Sequence, residues 1–379
     1  MSTRKDGYFL YHSIGQYPEK EADLAAAMTD LGAVWSTSND RQWPYLLGKR
    51  AEFIDLWRQL LGAPAGSVTT CENVTQGVHM FLTALPENRL RGRKVLVAED
   101  CFPSNHFLLT RLQDRLGFDL VTVRARQGAD WVADEDMIAE WDSDVALTLI
   151  TWVSSTTSHR VNLENLVPHG RAKGSLIGID ITQAAGLLPF SVAAPEVDFA
   201  VSTSLKWMCG TPGAGAFYVH PDLIPDCKPE LRGWFSQDNP FNWDIDAFDY
   251  APDIRRFDNG TPAILPAAAT VPALKWHRDA DTDAILAHNR HLSDLLIAGI
   301  DDIGLKLLTP RAEQERGGSL MISLGSNAGA SRALDDLGRA GFSADTRGAT
   351  LRLSPGVQTT EEACREVLDA LKSSVSAAV

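Results

Sequence analysis

Between Lys94 and Val219 the chain alternates short apolar runs with longer amphipathic stretches. Lys94–Ala98, Asp119–Val123, Ala146–Trp152, Ser175–Asp180, Phe199–Ser202 and Gly215–Val219 are continuous runs rich in Val, Ile, Leu and Phe. Continuous rather than alternating hydrophobicity is the pattern of strands buried on both faces. Ser104–Leu116 and Glu135–Asp142, which lie between them, carry helical spacing. Strands separated by helices predict a mostly parallel α/β sheet with ligands at the carboxyl ends of its strands.

From about Ala263 the character changes. Ile264–Leu274 is apolar and Ala-rich, and Asp281–Ile300 continues with helical periodicity. Gly318–Leu324 and Thr350–Leu353 then read as short strands. Thr359–Ser374 opens Thr-Thr-Glu-Glu, a helix N-cap pattern, and keeps helical spacing. The pattern predicts a small α/β domain joined to the large one through a long helix.

Composition narrows this picture without changing it. A chain of 379 residues with 44% hydrophobic and 22% charged residues is ordinary for a globular protein with a large and a smaller core. The net charge of −14 argues against nucleic acid and against an anionic membrane surface as partners. It does not restrict the substrate, since an acidic shell still accommodates a basic pocket. The five cysteines are dispersed, with no CxxC pair, which predicts reduced thiols and a cytoplasmic location. The first residues lack the apolar core of a signal peptide, and no window approaches the length of a membrane span. No histidine spacing matches a zinc motif, and Gly213-Ala-Gly-Ala lacks the third glycine and the helix of a dinucleotide fingerprint.

The chemistry concentrates at two strand ends. Asp180 closes the run Ile-Gly-Ile-Asp, and Lys206 lies in Ser-Thr-Ser-Leu-Lys-Trp-Met-Cys-Gly, just past another run. A lysine in such surroundings is either one more surface loop residue or a buried amine of lowered pKa, suited to imine formation. Asp180 alone is either a helix N-cap or a functional carboxylate. Together they match what pyridoxal 5'-phosphate (PLP) requires: a Schiff-base lysine, and an acid that keeps the pyridine nitrogen protonated so that the ring withdraws electrons. Gln183, three residues after Asp180, is placed to meet the cofactor. Thr75 opens an apolar helix, either as part of a plain cap or as a phosphate ligand. Phe102 is either a core aromatic beside a proline turn or a ring that stacks on the pyridine. Gly260-Thr261-Pro262 is a turn whose threonine offers a phosphate contact, across a dimer interface in that reading. Arg352 alternates with apolar residues in its strand and suits a bidentate carboxylate clamp; Arg347 competes for that role.

These residues, in this order, resemble the fold-type-I PLP enzymes of the class V aminotransferase superfamily, and within it the kynureninase branch. The resemblance runs from about Tyr11 to the C-terminus. Tyr11-His-Ser-Ile-Gly-Gln-Tyr-Pro is similar to the kynureninase entry segment. Asn73-Val-Thr resembles its phosphate-binding helix start, implying contacts from Val74 and Thr75. Phe102-Pro-Ser-Asn105 resembles Phe-Pro-Ser/Thr-Asp, in which the Phe stacks on PLP and the acid contacts it. Gly233-Trp234-Phe resembles the Gly-Trp-Phe whose Trp reaches the phosphate from the neighbouring subunit. The resemblance also implies Asp180 as pyridine partner, Lys206 as Schiff-base lysine, Ser155 and Thr203 as cofactor contacts, Arg352 as binder of the substrate α-carboxylate, and a homodimer with shared active sites. It divides the chain into residues 1–15, packing with the small domain, 16–262, the PLP-binding domain, and 263–379, the linker helix and small domain. The implied activity is PLP-dependent hydrolysis or lysis of an amino-acid side chain; a class V aminotransferase or epimerase is the alternative.

Departures from the pattern bear on the substrate. Gln183 stands where kynureninases have His, Leu205 where they have Tyr, and Asn105 where they have an acid. Gly-Thr-Pro at 260–262 resembles desulfurases instead, yet residues 344–350 hold no cysteine, which disfavours cysteine desulfuration.

Overall fold

A computed structural model describes residues 4–376; residues 1–3 and 377–379, the outer ends of the first and last segments expected above, lie outside the described residues. The chain opens with two helices, α1 (Lys20–Trp35) and α2 (Gln42–Leu60). There follow β1 (Val68–Cys71), α3 (Val74–Ala84), β2 (Lys94–Ala98), α4 (Pro103–Leu116), β3 (Asp119–Val123), α5 (Asp134–Glu140) and β4 (Val145–Thr151). Next come α6 (Leu163–Lys173), β5 (Leu176–Asp180), β6 (Phe199–Thr203) and β7 (Gly215–Val219). These seven strands form one sheet in the order β1-β7-β6-β5-β4-β2-β3. The pairs from β6 through β3 are parallel, whereas β7 runs antiparallel to both β6 and β1.

The apolar runs are continuous because neighbouring residues face two different cores. Val95, Val97, Phe199 and Val201 join one cluster with Phe81 and Phe217. Leu96, Ile177, Ile179 and Ala200 join the other with Phe53 and Trp57. Helices cover both faces, so neither side of a strand meets water. Packing across β5 and β6 is close: a Cβ on Gly178 would lie 1.9 Å from the Phe199 ring, so only glycine fits there. β1 was not expected. Val-Thr-Thr-Cys is short and half polar, and it forms an edge strand paired only to β7.

The chain continues with α7 (Ile264–Asp279), which packs on α1 and α2, and the unit of the small sheet starts with α8 (Thr282–Ile303), capped by Asp281 Oδ1, which accepts from the Ala284 amide at 3.0 Å. β8 (Lys306–Leu307), β9 (Leu320–Ser323), α9 (Asn327–Arg339), β10 (Asp345–Arg347), β11 (Thr350–Leu353) and α10 (Glu361–Ser376) complete it. Its antiparallel sheet has the order β10-β11-β9-β8. Thr360 Oγ1 accepts from the Ala363 amide and caps α10, in keeping with the Thr-Thr-Glu-Glu pattern. Leu292, Leu296, Ile322, Leu351, Leu353 and Val367 form its core, joined by Phe9 from the N-terminal segment. Tyr8 and Leu10 bridge to Ser343 and Ser354. The same segment then turns back to the large sheet, where the Gly15 amide donates to the Leu205 carbonyl at 2.9 Å. No described helix is long and apolar enough to cross a membrane.

Candidate active site

Topology brings the carboxyl ends of β4, β5 and β6 together with the N-termini of α3 and α4, around a cavity of about 720 Å³. Its wall includes Val74, Thr75, Phe102, Ser155, Asp180, Gln183, Thr203 and Lys206, eight of the positions expected from the sequence.

Asp180 ends β5 and is 5% exposed. Its carboxylate accepts from the Thr182 amide at 3.0 Å and from Asn105 Nδ2 at 3.1 Å, and among the described residues it has no salt-bridged cation. A carboxylate this buried is costly without a positive partner. Asn105 was expected to touch the cofactor. It is wholly buried behind Asp180 and donates to that carboxylate, because the first turn of α4 points its amide at the end of β5.

Lys206 lies in the loop after β6, with its Nζ 5.3 Å from the centroid of the Phe102 ring. Burial lowers its pKa to about 8; Asp180 draws it upward, while Arg352 and Arg347 push it further down. At pH 7 about a tenth of the amine is then neutral, far more than for a free lysine of pKa near 10.5. The loop is held closely from the N-terminal segment: a Cβ on Gly15 would fall 2.0 Å from the Lys206 carbonyl oxygen.

At the opposite wall Asn73 caps α3, its Oδ1 accepting from the Gln76 amide at 2.9 Å. The Val74 and Thr75 amides are then left at the helix start without an acceptor among the described residues. Such free amides, with the helix dipole behind them, suit a phosphate. Three buried polar atoms of the cavity wall also lack partners, Thr151 Oγ1, Ser155 Oγ and Thr182 Oγ1, as does Asn105 Oδ1 behind Asp180. The buried carboxylate without a salt-bridged cation, the lysine of lowered pKa, the flanking aromatic ring, the free amides and the unpaired hydroxyls together fit PLP. Thr151 and Thr182 were not expected. Both are hydroxyls at or just past strand ends, the signal that would have found them.

Other expected residues stand differently. Gln183 does not present a free amide, for its Nε2 donates to the His12 carbonyl at 3.1 Å and its Oε1 accepts from Trp207 Nε1 at 3.3 Å. Arg352 is buried on β11, but its Nε donates to Asp345 Oδ1 at 2.7 Å and its Nη2 to Asp345 Oδ2, so one edge of its fork is already engaged. Trp234 stacks on Trp243 with ring centroids 6.1 Å apart, and Thr261 is exposed; neither lines the cavity of its own chain.

The family model for class-V aminotransferases matches residues 52–336. The kynureninase of Deinococcus radiodurans is 30% identical over 264 residues, covering 68% of this chain and 62% of that enzyme, so the match spans under two thirds of the relative. The kynureninase of Bacillus thuringiensis is 27% identical over 346 residues, covering 88% of this chain and 79% of the relative. Among solved structures, the apo cysteine desulfurase of Thermococcus onnurineus superposes with a TM-score of 0.85 at 17% identity, covering 100% of this chain and 99% of that one. The cystine C–S lyase C-DES, in complex with its product cysteine persulfide, gives 0.85 at 19%, covering 97% of each chain. At these identities the structural likeness shows the fold. The chain belongs to the class V aminotransferase family, as a fold-type-I PLP-dependent enzyme of the kynureninase-like branch.

Proposed function

We propose that this enzyme is a kynureninase-like hydrolase or lyase that cleaves a side-chain bond of an amino acid, and that it works as a cytoplasmic homodimer. The observation that carries the reading is the pairing, in one cavity, of a lysine with pKa lowered to about 8 and a buried carboxylate that has no cation. PLP, when bound, supplies the electron-withdrawing ring that lets bonds at the amino-acid Cα and beyond be broken. Asp180 would hold the proton of the ring nitrogen, and Asn105 and the Thr182 amide would fix that carboxylate in place. Phe102 would cover one face of the ring. The amides and hydroxyl at Val74 and Thr75, with Thr203, would hold the phosphate, and Ser155 would offer its unpaired hydroxyl. Lys206 would take the α-proton through Nζ, whose lowered pKa suits a base near neutral pH. Arg352 would orient the substrate carboxylate. Trp234 and Thr261 would act on the cofactor of the neighbouring subunit. Phe241, Trp243 and Ile245 support that arrangement, since they are exposed in the loop that follows Trp234.

A class V aminotransferase or epimerase is the second reading, favoured by Gln183 and Leu205. The Gln183 amide is tied to His12 and Trp207, and Leu205 brings no hydroxyl to the cavity beside Lys206. Cysteine desulfuration is disfavoured. It needs a reactive thiolate, whereas all five thiols are buried, with pKa values raised by burial to about 12, and none lines the cavity. The test is to add L-kynurenine, 3-hydroxykynurenine and a panel of amino acids to the holoenzyme. Release of a fluorescent anthranilate-type product supports the first reading. A pyridoxamine-type spectrum, or loss of substrate chirality without bond cleavage, would replace it with the second.

A further inference from the structure

The edge hairpin of the small sheet carries an uneven set of charges. Asp345 and Arg352 are directly opposed in the β10–β11 register, and Arg347 lies two residues from Asp345, on the same face. Asp345 faces the His12 ring, and the His12 carbonyl accepts from the Gln183 amide of the cavity wall, so the hairpin stands beside the cavity; the Lys206 amine also feels both guanidinium charges. Asp345 takes the Nε and Nη2 protons on one edge of Arg352, and its Oδ1 also faces His12 Nε2 at 3.0 Å. His12 is 2% exposed and anchored through Nδ1 on Ser354 Oγ at 2.6 Å. Arg347, by contrast, forms no side-chain hydrogen bond and no ion pair among the described residues. The face therefore holds two guanidiniums against one carboxylate, an excess that a single bound carboxylate balances.

We infer that Asp345 is a positioning residue that holds Arg352 by its side edge, so that the Nη1 end faces the cavity, and that Arg347 is a second cation receiving the same substrate carboxylate. This rests on the proposed amino-acid-processing, PLP-dependent reading. The ligand class is an α-amino monocarboxylate. An amine or carboxamide lacks the charge that two guanidiniums select. The arrangement also explains why Arg352 sits buried beside a carboxylate of its own. Without Asp345, two cations would face Lys206 with no counter-charge, and the long Arg352 side chain would lose the bond that fixes its fork.

The test is a titration of the PLP-loaded enzyme, with L-alanine and L-alaninamide as probes, following the change in the visible cofactor band. The parent enzyme prefers the acid. Arg347→Gln weakens L-alanine binding roughly tenfold and leaves L-alaninamide unchanged, as expected for one charge-assisted contact. Asp345→Asn acts in the same direction through Arg352, and Asp345→Glu recovers most of the loss. With a turned-over substrate the effect falls on KM more than on kcat. Tighter L-alanine binding in Asp345→Asn would show that the carboxylate competes with substrate rather than positioning Arg352, and would overturn the assignment. Unchanged preference in Arg347→Gln, a variant at an exposed edge where folding is not at risk, would do the same for Arg347. A parent protein that shows no visible band with PLP would instead bring down the reading beneath both.

Discussion

The carboxyl end of the large sheet and the hairpin of the small one meet around His12, whose ring faces Asp345 and whose carbonyl accepts from Gln183, but they treat their charged groups in opposite ways. Around Asp180 the polar atoms are buried and short of partners: the carboxylate has no cation, and Thr151, Ser155, Thr182 and Asn105 each keep an unpaired oxygen. On the hairpin Arg352 is paired with Asp345, and Asp345 with His12. Bonds from His12 and Arg352 outweigh burial and hold the Asp345 carboxyl at about 2, so it stays charged at any working pH. An unpaired buried polar group costs about 1–3 kcal/mol. The sheet end therefore carries a cost that a resident group of fixed shape would offset. The hairpin carries none, and it suits a visitor that arrives and leaves. On the proposed reading, the first region would hold the cofactor and the second the substrate.

Substitutions at the sheet end should have the largest effects. Lys206→Ala is expected to abolish turnover, a loss of at least about 10³-fold, since the same amine binds the cofactor and moves the proton. Its thermal unfolding should match that of the parent. Residual activity within tenfold of the parent would remove Lys206 from the mechanism. Asp180→Asn should lower both PLP affinity and turnover, on the order of 10²-fold, by removing the partner of the ring nitrogen. It should also move the Lys206 titration to lower pH, because Asp180 now draws it upward. Borohydride trapping across a pH series reads that shift, and a shift toward higher pH would contradict the electrostatics.

Gly15 tests how the two regions are joined, for the N-terminal segment touches both. Gly15→Ala would force its Cβ against the Lys206 carbonyl and should cost about 1–3 kcal/mol of stability, with slower PLP uptake. Unaltered uptake would mean that the segment does not set the lysine loop. Acid is expected to act on the fold rather than on the site. Burial depresses the pKa of His159 and His277 to about 4, against about 6.5 in the unfolded chain. Between those values the unfolded state binds more protons, so stability falls as pH drops from about 6.5 toward 4, by at most about 1.4 kcal/mol per pH unit for each ring, and is insensitive to these groups above that window. Denaturant melts at several pH values would show it, and a flat profile would refute it.

Legibility in the sequence followed the same division. The strands ending at Asp180 and preceding Lys206 were readable because burial on both faces leaves uninterrupted Val, Ile and Phe. The residues with cofactor chemistry were readable because PLP demands a lysine and an acid at strand ends. β1 escaped because Thr69 and Thr70 break its apolar run, and α1 and α2 because their apolar residues are spread around the helix rather than gathered in one stripe. Arg352 was identified as a carboxylate binder, but its pairing with Asp345 depends on a hairpin register that residue types alone do not encode. The contribution of His12 depends on a segment more than 300 residues away in the chain. The bond from Asn105 to Asp180 was not legible either, since one turn of α4 decides which way the amide points.

The most direct measurement is the absorption spectrum of the purified protein after incubation with PLP, followed by borohydride reduction and peptide mapping. The structure predicts a visible band that disappears on reduction, with the cofactor fixed to the peptide carrying Lys206, and no band in Lys206→Ala. A protein that stays colourless, or a label on any other lysine, would contradict the assignment of this cavity.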